Sequence, residues 1–300
     1  MSLRFARIAI IGFGEAGSLL GEDLVRSGRD VVSYDLLLDE AQGRQELLER
    51  AERAGVRARD STPAAVRDAD LVISAVTASA AVEVATLAAT ALHPGQIYLD
   101  INSVSPATKQ QVASSIERSG ADFIEAAVMA PVPPQRLAVP MLLGGRRAGE
   151  VAQALRALGM NCTAISERIG VAAAVKMCRS VLIKGLEALT LESLLAARRF
   201  GAEHEVLASL HASYPHMGWQ GALPDYLISR VAEHGRRRAA EMREVARTLE
   251  DIGVDPLMAV ATAKRQDALI DAMVEGGLTY PRNRSFSWRE LADALTEHEK

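Results

Sequence analysis

The chain has 300 residues, 49% of them hydrophobic and 24% charged, and its 34 basic and 38 acidic side chains leave a net charge of −4. That length and apolar content suffice for one large or two ordinary cores, and two domains are expected. No long basic block could track a phosphate backbone, so nucleic acid is not an expected partner, and the two cysteines, Cys162 and Cys178, lie outside any spaced Cys/His cluster, which disfavours a disulfide framework or structural zinc site and fits a reducing cytoplasm.

In chain order, Arg4 and Arg7 precede the apolar run 8–11, which opens into glycines rather than a cleavage site and reads as a buried strand. Residues 18–27 read as a helix and 31–34 as a second strand. The stretch 71–92 is rich in Ala and Val, but Glu83 and several Ser and Thr residues interrupt it, so it belongs to a soluble fold rather than a membrane, with a strand over 71–76. Further strands are expected over 97–101 and 123–128. These runs are continuously apolar and alternate with helical patterns, which predicts βαβ units around a parallel sheet covered on both faces. After about residue 165 the strand signals stop, and long helices are expected over 171–200 and 224–249, with stops at Gly253–Pro256 and at Gly276, Gly277 and Pro281. The expected fold is therefore α/β: a doubly wound Rossmann domain over 1–166, then an all-α domain over 167–300 for substrate binding and dimerisation.

The first strand runs into Gly12-Phe13-Gly14-Glu15-Ala16-Gly17, a GxGxxG motif in strand–turn–helix context. Each glycine has its own reason: Gly12 for the tight turn, Gly14 for close approach of backbone to a pyrophosphate, Gly17 for close packing of helix on strand. The helix N-terminus then faces the phosphates. The second strand ends in Asp35, about 20 residues on, where an acid meets the ribose hydroxyls of NAD and would repel the 2′-phosphate of NADP; no arginine follows it immediately. NAD is the expected cofactor, with NADP the less favoured alternative. The expected cofactor residues are Gly12, Phe13, Gly14, Glu15, Ala16, Gly17, Asp35, Val76, Thr77 and Asn102. The competing reading is that the glycines merely shape a turn and Asp35 starts a loop.

Three further segments carry polar groups. Asp100-Ile-Asn102-Ser103-Val-Ser105-Pro106 leaves a strand at the carboxyl edge of the sheet, where ligands of open α/β sheets bind; Asn102 and Ser103 would hold a substrate carboxylate or hydroxyl, or else cap a strand-to-helix turn. Met129-Ala130-Pro131-Val132-Pro133-Pro134 follows another strand, and its prolines suggest a fixed wall for a small pocket, formed by Ala130, Pro131 and Val132. In the helix after Gly170, a step of ~100° per residue puts Lys176, Ser180, Lys184 and Glu187 in one arc, with Cys178, Val181, Leu182, Leu186 and Leu189 opposite. By pattern alone that polar stripe is a solvated face.

GFGEAG, DINSVSP, VKMCRS and HGRRRAAEMRE, in this order, resemble the β-hydroxyacid dehydrogenase superfamily, which includes 3-hydroxyisobutyrate dehydrogenase, glyoxylate reductases and 6-phosphogluconate dehydrogenase, and within it a phosphogluconate-dehydrogenase-like branch with its own C-terminal domain type. The likeness covers nearly the whole chain. It implies that Lys176 is the general acid/base, that Asn102 and Ser103 replace the usual Ser-Thr of the substrate loop, and that Ser180 stands where the family has asparagine, with Arg179 beside it. A later Lys-Asp pair aligns with Ala240 and Glu241, so its lysine is missing, and Arg236, Arg237 or Arg238 could compensate. The resemblance thus implies catalytic residues Lys176, Ser180, Asn102 and Ser103 and substrate-binding residues Ala130, Pro131, Val132, Arg179 and Glu241. 6-Phosphogluconate dehydrogenase itself is disfavoured, because it is a much longer chain and has a glutamate where this one has Ile183.

The reaction so implied is hydride transfer between nicotinamide and a hydroxyl-bearing carbon of a small, acidic substrate, with Lys176 moving the hydroxyl proton. Burial beside the nicotinamide cation would lower the lysine's pKa. One alternative is imine or ketone reduction on the same fold, although those enzymes usually replace the lysine; another is a nonenzymatic NAD-binding regulator. A homodimer is expected from the family, with Arg236–Arg238 either at its interface or on a solvated face. His204, His211, His216 and His234 lack metal-ligand spacing, and no metal is expected. Trp219, Tyr226 and Trp288 line a pocket or an interface, or belong to an ordinary core.

Overall fold

In the computed structural model, which describes residues 3–40 and 42–298, the apolar runs become strands of one sheet. The first half runs β1 (Arg7–Ile11), α1 (Glu15–Arg26), β2 (Asp30–Tyr34), α2 (Arg44–Arg53), β3 (Arg57–Ala58), α3 (Thr62–Val66), β4 (Leu71–Ser74), α4 (Ala81–Ala89), β5 (Ile97–Asp100), α5 (Pro106–Glu117), β6 (Asp122–Val128), α6 (Val132–Gln135), β7 (Met141–Gly144), α7 (Ala148–Arg156) and β8 (Cys162–Ser166). The second half is helical: α8 (Val171–Arg199), α9 (Glu203–Ser213), α10 (Leu223–Glu250), α11 (Leu257–Glu275) and α12 (Trp288–His298).

The eight strands lie in the order β3-β2-β1-β4-β5-β6-β7-β8. All neighbours pair in parallel except β6 with β7, where Glu125 faces Gly144 across an antiparallel ladder. Ile8, Ile10, Leu71, Ile73, Ile97 and Leu99 are fully buried, as a sheet covered on both faces requires; each such side chain contributes roughly 1.5–3 kcal/mol by leaving water. The strand order reverses between β1 and β4. In an open α/β sheet that switch point opens a crevice at the carboxyl ends of the strands, so the loops after β1 and β4 are the ones placed to receive a ligand.

Packing divides the chain into two units, Met1–Lys176 and Met177–Lys300. The first contains the whole sheet. The second has its own core, in which Leu191, Leu194, Ile228, Val231 and Trp288 are buried together. Trp219 belongs to that core, whereas Tyr226 is exposed, so the aromatic residues of this half are chiefly packing. Among the described residues, no helix is long and apolar enough to cross a membrane, and no group of three or more His, Cys, Asp or Glu side chains is placed to hold a metal ion.

Candidate active site

The glycine-rich turn joins β1 to α1 at the switch point. A Cβ on Gly17 would come within 2.0 Å of the Gly12 carbonyl oxygen, and one on Gly12 within 2.4 Å of the Ala75 carbonyl oxygen, so each must be glycine for close backbone approach. A Cβ on Gly14 would meet nothing within 4 Å. The space beside Gly14 is therefore left open by the protein, as a pyrophosphate lying against the backbone requires. Gly14 also begins α1 with no side-chain cap, which leaves the first N–H groups of the helix available to an anion.

Asp35 closes the other side of this turn. One carboxylate oxygen accepts from the Phe13 backbone N–H at 2.6 Å and the other from Leu37 N–H at 3.0 Å, so the acid fixes the turn as well as standing at the end of β2. Phe13 is fully buried, Glu15 is exposed and Ala16 is half-buried. Arg50 on α2 donates to the Phe13 carbonyl at 3.2 Å. No arginine follows Asp35 directly; a cation reaches this turn from 15 positions later, on the next helix.

The loops after β4 and β5 are tied together by Asn102. Its side-chain oxygen accepts from Val76 N–H at 2.7 Å and its amide donates to the Ser74 hydroxyl at 2.9 Å. Thr77, next to Val76, is exposed, and Ser103 is half-buried. The cap of α5 is Ser105, whose hydroxyl accepts from Thr108 N–H at 3.2 Å, so neither Asn102 nor Ser103 serves as that cap. Beneath this loop lies a buried ion pair, Lys109 with Asp100 at 3.1 Å, and the Lys109 ammonium also donates to the Asp100 carbonyl at 2.7 Å. Asp100 in turn accepts from Asn102 N–H at 2.9 Å.

After β6 the chain passes Ala130, half-buried, Pro131, exposed, and Val132, buried. This segment is held by Arg136, which was not expected from sequence. The residue takes a left-handed φ of 52°, rare for a side chain with a Cβ. Its guanidinium pairs with Asp23 and Glu22, both at 2.6 Å, so the loop is bolted to the helix that follows the glycine turn.

Helix α8 is preceded by Gly170, whose φ of +99° demands glycine. Its first free N–H groups are accepted by the buried Glu125 carboxylate: Gly170 at 2.7 Å, Ala172 at 3.1 Å and Ala173 at 3.3 Å. Burial pushes that carboxyl above its usual range, while the nearby Lys109 ammonium and the three N–H groups act in the opposite direction. Lys176, half-buried, lies in the second turn.

The polar stripe of α8 is not a solvated face. Ser180, Lys184 and Glu187 are buried, while Leu182 and Leu189 on the other side are 78% and 55% exposed. The stripe can be buried because α10 supplies its counter-charges. Lys184 donates to Glu241 at 2.5 Å, and Arg238 pairs with Glu187, with one bond of 2.8 Å. Burial draws the Lys184 ammonium below its ordinary value, with Glu241 opposing, and pushes the Glu187 carboxyl up, with Arg238 opposing. The arginine run therefore splits: Arg236 is exposed and pairs with Asp267 and Asp271, Arg237 is exposed, and Arg238 is buried. Arg179 is exposed.

Comparison with known proteins gives this arrangement a lineage. Residues 7–166, more than half of the chain, match the NAD binding domain of 6-phosphogluconate dehydrogenase, and residues 197–269 match a domain of unknown function, DUF1932. The chain is 29% identical over 261 residues to an uncharacterised 28.5 kDa protein of Methanothermus fervidus, covering 85% of this chain and 96% of that one. It is 23% identical over 205 residues to the human mitochondrial 3-hydroxyisobutyrate dehydrogenase, covering 68% of this chain and 60% of that enzyme. A solved structure of a conserved hypothetical protein from Sinorhizobium meliloti is similar over 98% of this chain and 96% of its own length, with 38% identity and a TM-score of 0.79. An imine reductase from Streptomyces aurantiacus shares the fold at 18% identity, with a TM-score of 0.56 over 98% of this chain and 99% of its own. With its glycine turn at the switch point of the sheet and this match over more than half its length, the chain belongs to the 6-phosphogluconate dehydrogenase NAD-binding-domain family, within the β-hydroxyacid dehydrogenase superfamily.

Proposed function

We propose that this protein is an NAD-dependent dehydrogenase acting on the hydroxyl-bearing carbon of a small, acidic substrate, with Lys176 as general acid/base. The observation that carries the reading is the open space beside Gly14, framed by Gly12, Gly17 and Asp35 and ending on an uncapped helix N-terminus. NAD bound there supplies the hydride acceptor, and NADH the donor. Gly12, Gly14, Glu15, Ala16 and Gly17 hold the phosphates, Asp35 the ribose, and Phe13, Val76 and Thr77 line the same loops. Lys176 takes the proton from the substrate hydroxyl in oxidation and returns it in reduction. Asn102 and Ser103, with Ala130, Pro131 and Val132, orient the substrate in the first unit. Ser180, one turn beyond Lys176 on the same helix, Arg179 and Glu241 are the substrate residues assigned within the second unit.

Asp35 favours NAD over NADP, but Arg50, donating to the same turn, is the cation a 2′-phosphate would need, so NADP is the second reading. Imine reduction is the weaker alternative on this fold because the chain has a lysine at 176. The test of the assignment is a screen of 3-hydroxy acids and other small hydroxyacids with NAD, followed by the appearance of NADH. Turnover of at least one is expected, and turnover of cyclic imines with NADPH but of no hydroxyacid would replace this reading with imine reduction.

The protein acts as a homodimer in a reducing cytoplasm. Leu182, Leu189, Phe200, Leu257 and Val274 of the second unit are each more than half exposed, a quantity of apolar surface that a partner subunit would cover. Sedimentation equilibrium should return twice the chain mass; a single-chain mass at micromolar concentration contradicts the dimer.

A further inference from the structure

At the carboxyl end of the sheet one row of side chains is polar. Ser74, Asp100, Glu125 and Gly144 stand directly opposite one another on β4, β5, β6 and β7, and the first three are fully buried. Two carboxylates on neighbouring strands repel each other and lose their hydration, so such a row needs a buried cation. Lys109 supplies it. The residue comes from α5, on the face that also buries Val112, Ala113 and Ile116, and is 1% exposed. A cation in the first turn of a helix is disfavoured by the field of the helix N-terminus, so the acids of the row account for its place. The Lys109 ammonium donates to the Asp100 backbone carbonyl at 2.7 Å and pairs with the Asp100 carboxylate at 3.1 Å. Its charge also draws the Glu125 carboxyl downward, against the effect of burial.

Each acid holds a different segment of the first unit. Asp100 accepts from Asn102 N–H at 2.9 Å, and Asn102 in turn accepts from Val76 N–H at 2.7 Å. Glu125 accepts from Gly170, which precedes α8, and from Ala172 and Ala173 in the first turn of that helix. We propose that Lys109 is a positioning residue: by neutralising Asp100 and Glu125 together, it locks the Asn102 loop and the start of α8 into one arrangement. In a crevice at the switch point, the acid after β2 takes the adenosine ribose, so the loops after β4 and β5 receive the nicotinamide half. Lys109, without touching a ligand, thus sets the geometry at the reacting end of the dinucleotide and not at its adenosine end. The proposal rests on the reading of this crevice as a dinucleotide site.

Lys109→Met keeps the apolar stem and removes the charge. In hydrogen exchange on the full-length variant, the Val76, Asn102, Gly170, Ala172 and Ala173 amides should lose protection together by at least about tenfold, while Gly12 N–H, bonded to the Tyr34 carbonyl, keeps its own. Loss spread evenly over the sheet, or confined to one of the two segments, overturns the proposal. By calorimetry the variant should bind NAD about tenfold more weakly, the equivalent of one net hydrogen bond, with affinity for ADP-ribose within about twofold of wild type. Equal weakening of both ligands, or weakening of neither, contradicts the assignment as well. Should Lys109→Met fail to fold, the wild-type chain decides: its Val76, Asn102 and Gly170 amides should exchange through one opening, with protection factors within about threefold of one another and the same denaturant dependence. Separate openings for the two segments overturn it. A wild-type chain that binds neither NAD nor ADP-ribose would sink the dinucleotide reading instead, and hydrogen exchange alone would then decide the role of Lys109.

Discussion

Replacing Lys176 by alanine is expected to leave NAD binding unchanged and to cut turnover of the true substrate by about 10²- to 10⁴-fold, the usual contribution of a positioned acid/base. The residues assigned to the dinucleotide come from the loops after β1, β2, β4 and β5, and none comes from α8, so cofactor affinity and chemistry should separate cleanly. Oxidation needs the neutral amine and reduction the ammonium, so in the wild type the two directions should show opposite pH limbs, and both limbs should vanish in the variant. Steady-state rates in both directions across pH check this. Retained activity in Lys176→Ala removes the lysine from the mechanism.

The second large effect concerns stability. Arg238 and Glu187 form a buried pair in the second unit, and removing one partner of such a pair typically costs about 3–5 kcal/mol because the other charge is left without compensation. Arg238→Met is therefore expected to destabilise the second unit by roughly that amount in chemical denaturation. The sign with pH follows from Glu187. Its carboxyl is already pushed up by burial in the folded chain, and loss of Arg238, which pulls it down, pushes it further. The folded variant then holds a proton that the unfolded chain releases, so stability is retained below the ordinary glutamate range and falls as pH rises through the folded value. A deficit that is smallest in acid and grows toward neutrality is expected; a deficit independent of pH contradicts the pairing.

Much of the first unit is legible in the sequence because its signals are local. Five of the eight strands are continuous apolar runs, and the glycine turn with Asp35 is a contiguous pattern. β3 is two residues long, β7 is a short run behind a proline, and β8 has a largely exposed pattern, so none of the three carries a usable period. The polar stripe of α8 is visible as a pattern, but its direction is not. Glu241 and Arg238, which neutralise it, lie 57 and 51 residues from Lys184 and Glu187, and without them a charged stripe reads as solvated. Glu125 and Lys109 do leave a local trace, a lone acid in an apolar strand and a lone lysine on the face of α5 that buries Val112, Ala113 and Ile116. Such a charge in an apolar face signals a buried partner without naming it. Arg136 leaves no trace, because its role depends on Glu22 and Asp23 more than a hundred residues earlier.

Calorimetric titration of the purified chain with NAD, NADH, NADP and NADPH asks whether the turn at Gly12–Gly17 binds a nicotinamide dinucleotide. Saturable binding is expected, tighter for NAD(H) than for NADP(H). Gly14→Ala, whose new methyl group enters space the protein leaves open, should weaken binding at least tenfold without loss of thermal stability, and Asp35→Ala should weaken it while reducing the preference for NAD(H). Absence of heat with all four dinucleotides, or undiminished affinity in Gly14→Ala, would contradict the account.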